Sequence, residues 1–204
     1  MSYLSSPVSG AVMDFNPFKK RTEDDATHQL GAVIVLADER KFRYGKVGAS
    51  NVSKGKLQQD PALKANHQNL AVDATASGEK RVNVTPGATA VVANEYAEGY
   101  MIVNDVDGEG QTYKVSGHPA AGSGTEFVLS LYDAIDVALT ANSQVSLIHN
   151  KFNGVVEVAA KTRRAVGVPM IDLSAGDFGW FQSAGVAGVL IGTAATLGAV
   201  LTSD

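Results

Sequence analysis

Apolar and polar residues alternate with a period of two along most of this chain, the spacing that buries one face of a β-strand and wets the other. GAVIVLADERKFRYG reads as a hydrophobic strand, an Asp-Glu turn, and a strand with Phe42 and Tyr44 on one face and Lys41 and Arg43 on the other. KRVNVTPG sets Val82 and Val84 against Arg81, Asn83 and Thr85 before a Pro86-Gly87 turn. YMIVNDVDGEGQTYKVSG reads as two strands joined by an acidic Asp-Gly loop, with Tyr113 and Val115 facing away from Thr112, Lys114 and Ser116. TEFVLSLYD puts Phe127, Leu129 and Leu131 on one side, and QVSLIHN, GVVEVAAK, VGVPMIDLS and FGWFQSAGVAGVLIG follow. About ten short strands at roughly 10–15-residue spacing, with no helical stripe lasting three turns, predict an all-β fold. The expected architecture is a single β-sandwich or barrel-like domain.

Two stretches break the pattern. Residues 1–30 mix Ser, Pro and Gly with scattered apolar side chains, then a basic and an acidic run, and hold neither periodicity. They predict an extended N-terminal arm ahead of a β-rich globular domain over 31–204. A frayed terminus is the bland reading. As a docking arm, its anchors are Tyr3, Leu4, Phe15 and Phe18 with the basic run Lys19, Lys20 and Arg21, placed to bind a partner. Residues 46–80 are polar and weakly patterned, and a structureless loop of that length is unusual inside a domain. They are expected to run over the surface, with short strands near 56–58 and 68–72.

The closing segment poses a sharper question. Residues 185–201 carry no charge, and Gly188 and Gly192 form a GxxxG. The run falls short of the roughly 20 apolar residues a bilayer needs and lacks basic anchors. It therefore reads as β: WFQSAGVAGVLIG a strand buried on both faces, TAAT a turn, LGAVL a closing strand. Phe178 and Trp180 then share one face and Phe181 takes the other. Gly188 is expected in the core or at a subunit interface, where a small residue permits close approach.

Composition narrows the chemistry. The chain has 204 residues, 45% hydrophobic and 19% charged, a globular rather than disordered balance. It contains no cysteine, which removes disulfides and thiol catalysis. A net charge of −4 implies neither nucleic acid nor an anionic membrane as a bulk partner. No basic-then-apolar leader is visible at the N-terminus, so folding in a cytoplasm is expected.

The tempting motifs lack their companions. Asp177-Phe178-Gly179 matches the kinase magnesium triplet, but no Gly-rich ATP loop or His-Arg-Asp loop accompanies it. Aligning Gly108 of NDVDGEG with the glycine of a helix-loop-helix calcium site puts Val103 and Lys114 at obligatory ligand positions, so a hairpin turn is the better reading. A weak cation site on Asp105, Asp107 and Glu109 is the alternative. His28, His67, His118 and His149 are scattered without HExxH spacing, and each reads as a surface or hydrogen-bonded residue. No serine sits in a GxSxG elbow and no Gly-Lys pair belongs to a phosphate loop. The basic clusters, KKR at 19–21 and Lys161, Arg163 and Arg164 of KTRR, read as solvated loops or as pairs for a partner's carboxylates. No cofactor, metal site or enzymatic activity is expected.

The succession FRYGKVGA, KLQQ, NHQNLAV, VTPGATAVVANEYAEGYMIVNDVDGEGQTYKVSGHPA, VALTANSQVSLIHNKFNGVV and VGVPMIDLSAGDFGWFQSAGVAGVLIGTAATLG, over residues 42–198, resembles virion structural proteins of tailed bacteriophages, specifically capsid decoration (cement) proteins. The resemblance implies a β-rich protein, often a homotrimer, on the outer surface of the virion head. There it would bridge major capsid protein subunits against internal genome pressure, with an N-terminal arm contributing contacts. It carries no residue-by-residue functional assignments. Other β-rich virion parts (tail, neck or fibre) and a carbohydrate- or cation-binding β-module are the alternative expectations.

Overall fold

Strict alternation at 41–47 produces the strand that organises the first half of the molecule. The computed structural model describes residues 15–22, 28–158 and 163–190. Within them lie twelve β-strands and one short 3-10 turn at Ala65–His67, so the protein is all-β. The strands divide between two compact units rather than one domain: residues 1–61 with 151–204, and residues 62–150.

In unit 1, β1 (Val33–Val35) and β2 (Lys41–Val47) form the antiparallel hairpin that the turn at Asp38-Glu39 predicts, with Val33 opposite Arg43. Glu39 takes the left-handed φ of 67° that closes this turn. The other strands are β3 (Gln58–Gln59), β10 (Asn153–Glu157), β11 (Ala165–Pro169) and β12 (Phe178–Ala184). Pairings run β2–β10–β3–β11–β12 and return from β12 to β2, closing a small ring that β1 extends beside β2. The β2–β10 pair is parallel and the others antiparallel. Alternation along β12 sends Phe178 and Trp180 to one cluster with Ile34, Phe42 and Tyr44. Phe181 points the other way, into a cluster with Val47, Val155, Val166 and Leu173.

Unit 2 is a closed six-stranded antiparallel barrel: β4 (Leu70–Val72), β5 (Arg81–Thr85), β8 (Phe127–Leu131), β7 (Thr112–Gly117), β6 (Tyr100–Asp105) and β9 (Gln144–Ile148), in that order around the ring. Every strand turns its apolar set inward: Val82 and Val84, Met101 and Val103, Tyr113 and Val115, Leu129 and Leu131, Val145 and Leu147. Closure leaves no free sheet edge. The whole unit is one insertion in unit 1, leaving it after β3 and rejoining it before β10. Those two strands pair antiparallel, with Gln59 opposite Val156, so the insertion's two ends attach to neighbouring strands.

Besides the division into two units, the structure differs from the sequence expectation in two places. Residues 46–80 contain the short strands expected near 56–58 and 68–72 and many exposed residues, but they are more than a surface excursion. They hold β3, which pairs with both β10 and β11, and β4 of the barrel. Gln58, Gln59, His67, Leu70 and Val72 are all buried there. Buried glutamines and histidine erase the apolar alternation that marks strands elsewhere, which is why this stretch is only weakly patterned. The second difference is the tail. The fully buried run of β12 covers 178–182, and the strand ends at Ala184. At Gly185 the backbone takes φ +82°, where a Cβ would meet the Arg40 Cα at 2.8 Å. Gly188 is exposed, with nothing within 4 Å of a Cβ placed on it, so it is not a core residue. The expected turn at TAAT and the closing strand lie outside the described residues.

Candidate functional site

Residues 15–21, expected to reach a partner, make their contacts on unit 1 itself. Phe15 packs against Phe42 (ring centroids 5.1 Å apart) and edge-on against Trp180 (5.3 Å). Arg21 and Phe178 exchange two backbone hydrogen bonds of 3.0 and 2.7 Å, adding one rung to the end of β12. The Arg21 guanidinium donates to His28 Nδ1 at 2.8 Å, and His28 lies edge-on to Trp180 at 5.4 Å. Lys20 pairs with Asp177 at 3.2 Å. Lys19 and Phe18 lie at the turn between these contacts, and Phe18 is 63% exposed. Tyr3 and Leu4 lie outside the described residues. Asp177, first residue of the kinase-like triplet, accepts the Ser174 N–H at 2.8 Å as well as Lys20, which makes it a turn-closing carboxylate.

Of the second basic cluster, Arg164 grips Asp60 through its backbone N–H (3.0 Å) and its Nε (2.6 Å), while Arg163 donates to the Asp60 carbonyl at 3.0 Å. Lys161 lies outside the described residues. These two arginines therefore pin β3's end to β11's start while remaining exposed.

A groove of about 570 Å³ opens in unit 1 where β11 and β12 part. Their pairing covers only Val168↔Gln182 and Pro169↔Phe181, and the groove lies beyond it, between residues 165–167 and 183–185. Arg43 and Lys151 flank the apolar Phe152 ring on one wall, the Arg43 guanidinium also donating to the Gly31 carbonyl at 2.9 Å. Arg43 and Lys151 each hold their charge 5.7 Å from the centre of the Phe152 ring, within cation–π range. Partial burial, then the nearby Arg164 and Arg43 charges, pull the Lys151 ammonium below the usual lysine range. Gln182, 4% exposed, donates to the Ala184 and Val186 carbonyls (3.2 and 2.8 Å), while its Oε1 is buried without a partner.

Unit 2 collects three of the four histidines around one tyrosine. His67 precedes β4, whereas His118 and His149 follow β7 and β9, and the antiparallel register brings these three strand ends together. His67 Nε2 faces the Thr89 carbonyl at 3.0 Å, so that nitrogen carries the proton and Nδ1 accepts the Tyr96 hydroxyl at 2.5 Å. His118 Nδ1 faces the Pro119 carbonyl at 2.9 Å, so its Nε2 accepts the Tyr96 backbone N–H at 3.0 Å. The His149 ring lies 4.5 Å from the Tyr96 ring and pairs through Nε2 with Glu95 at 3.2 Å, leaving Nδ1 buried without a partner. Burial pushes the Tyr96 hydroxyl above the usual tyrosine range and the His118 imidazole below the usual histidine range. Burial also opposes the Glu95 charge, but hydrogen bonds from His149 and Lys64 outweigh it and hold that carboxyl down at about 2. The cluster locks Tyr96 among three histidines.

In the acidic loop, Asp105 accepts the Val106 N–H at 2.9 Å and Asp107 accepts the Thr140 hydroxyl at 3.0 Å. These carboxylates brace the hairpin. Among the described residues, no three His, Asp or Glu side chains converge to hold a metal ion, and no helix is long and apolar enough to cross a membrane. The chain matches no protein-family model, no curated protein and no solved structure.

Proposed function

We propose that this chain is a structural virion protein of a tailed bacteriophage that decorates the head and cements neighbouring major capsid subunits, without catalytic activity. The observation that supports it best is the pairing of a phage-like sequence over 42–198 with an all-β chain built as two units, each with its own core. A bridge between capsid subunits needs stable faces rather than reactive groups, and two modules on one chain can engage two sites. Linked weak contacts then sum to a tight one through effective concentration. The buried polar groups fit a scaffold: Asp177, Asp60 and Glu95 each hold backbone or cationic partners of their own chain.

The test mixes the purified protein with heads lacking it and measures copies per head by gel densitometry and electron microscopy. A stoichiometric coat on the shell, arranged as trimers, is the expected result. A few copies confined to the tail or neck would overturn it in favour of another virion part.

A further inference from the structure

The groove between β11 and β12 has three properties that together define a ligand. Its lining contains two cations, Arg43 and Lys151, and no carboxylate, on a chain whose net charge is −4. The nearest acid acting on Lys151, Asp60, is already held by Arg164. The groove also continues an interrupted β-ladder. In-register pairing of β11 with β12 stops at Val168↔Gln182; Gly167 still presses on the Gln182 carbonyl, and beyond that contact the two backbones line the groove. At that last rung the Gln182 side chain already imitates a strand, donating to two carbonyls of its own chain, while its Oε1 is buried without a partner. About 570 Å³ falls within the 300–1,000 Å³ typical of ligand sites.

We propose that this groove binds an extended acidic peptide segment of a partner protein, laid between the parted strands. Its backbone N–H satisfies Gln182 Oε1, and its Asp or Glu side chains pair with Arg43 and Lys151. The mode is strand addition at an open seam, in which main-chain bonds supply affinity and alternate side chains supply specificity. A simple phosphate would meet the two cations but would leave an acceptor, Gln182 Oε1, facing an anion. An N–H donor flanked by carboxylates satisfies both. The proposal does not depend on the virion reading, because it concerns the chemistry of the segment and not its source.

The experiment uses the full chain and fluorescein-labelled decapeptides in which Glu alternates with Val, Thr or Gly, read by fluorescence polarisation at low salt. Lysine-for-glutamate peptides and inorganic phosphate serve as comparison arms. At least one acidic peptide is expected to bind and to weaken several-fold when salt is raised from about 25 to 300 mM. Lys151→Glu should lower its affinity at least tenfold, Lys151→Arg should retain it, and Lys80→Glu, the same charge change in unit 2, should leave it within twofold. Amide shifts of the unmodified protein should localise to residues 165–167 and 183–185, which reports the site even if a variant folds poorly. Absence of binding by every acidic peptide, equal binding of the lysine peptides, shifts mapping elsewhere, or full displacement by 10 mM phosphate would each overturn the proposal.

Discussion

Tyr96→Phe removes one oxygen and should loosen unit 2 alone. The hydroxyl donates to Nδ1 of His67, a ring with no solvent exposure whose other nitrogen is committed to the Thr89 carbonyl. The variant strands that acceptor. Switching the tautomer does not help, because Nε2 would then point a lone pair at a carbonyl oxygen. Leaving a buried acceptor unmade costs about 1–3 kcal/mol. The ring remains, so packing on His149 and the backbone bond to His118 persist and add little to the loss. Because a tenfold change corresponds to about 1.4 kcal/mol, amide opening in residues 62–150 should become roughly 5- to 150-fold more frequent. Hydrogen exchange read by mass spectrometry resolves this by unit. Trp180 fluorescence monitors unit 1 separately, since it is the chain's single tryptophan. Unchanged exchange in unit 2, or equal acceleration in unit 1, would refute the tautomer assignment.

Acid should weaken the same cluster in two windows. His118 has a folded pKa depressed below its ordinary 6.5, so its contribution is full above that pH and is lost as pH falls below it. Glu95, ordinarily near 4.5 but held at about 2, contributes above 4.5 and loses that contribution as pH falls towards 2. Urea midpoints measured from pH 8 to 3 should decline in both ranges, and a flat profile through the first would sink the His118 reading. Gly99→Ala should cost about 1–3 kcal/mol or prevent unit 2 from folding, because the new Cβ would lie 2.2 Å from the Ile148 carbonyl. Gly188→Leu should change thermal stability by less than about 0.5 kcal/mol, a contrast readable by calorimetry. Deleting residues 1–28 removes Phe15, Arg21 and His28 from the Trp180 cluster, and should red-shift tryptophan emission and lower the melting temperature of unit 1.

Strands with clean alternation were legible from sequence: Phe42 and Tyr44, Val82 and Val84, and Phe127, Leu129 and Leu131 all turn inward as the period-two rule requires. What escaped was set by long-range pairing. A short strand near 56–58 was expected, but nothing in its two buried glutamines, which carry no hydrophobic signal, announced that β3 links β10 to β11. The division into two units left no mark either, since the joins at Pro61 and Lys151 show no linker-like shift in composition. The histidine lock was invisible because its members are spread from 67 to 149. The usable signal was positional: each of the three histidines abuts a strand terminus, and only the barrel order shows that those termini meet. The groove could not be read at all, because Arg43 and Lys151 become neighbours only when β2 pairs with β10.

Inserting the barrel between β3 and β10 also imposes a timetable on synthesis. β2 emerges early, but both strands that complete its pairing, β10 and β12, are made after the entire insertion. At about 5–20 residues per second, the chain from Ala62 to Asn150 takes roughly 5–18 s to appear. During that interval Phe42 and Tyr44 have no Phe178 or Trp180 to pack against, while the six strands of unit 2 are all present and free to close. The later-placed barrel therefore finishes first, and the molecule's opening strands wait for its last ones, the period in which a nascent chain is most exposed to aggregation and most in need of a chaperone.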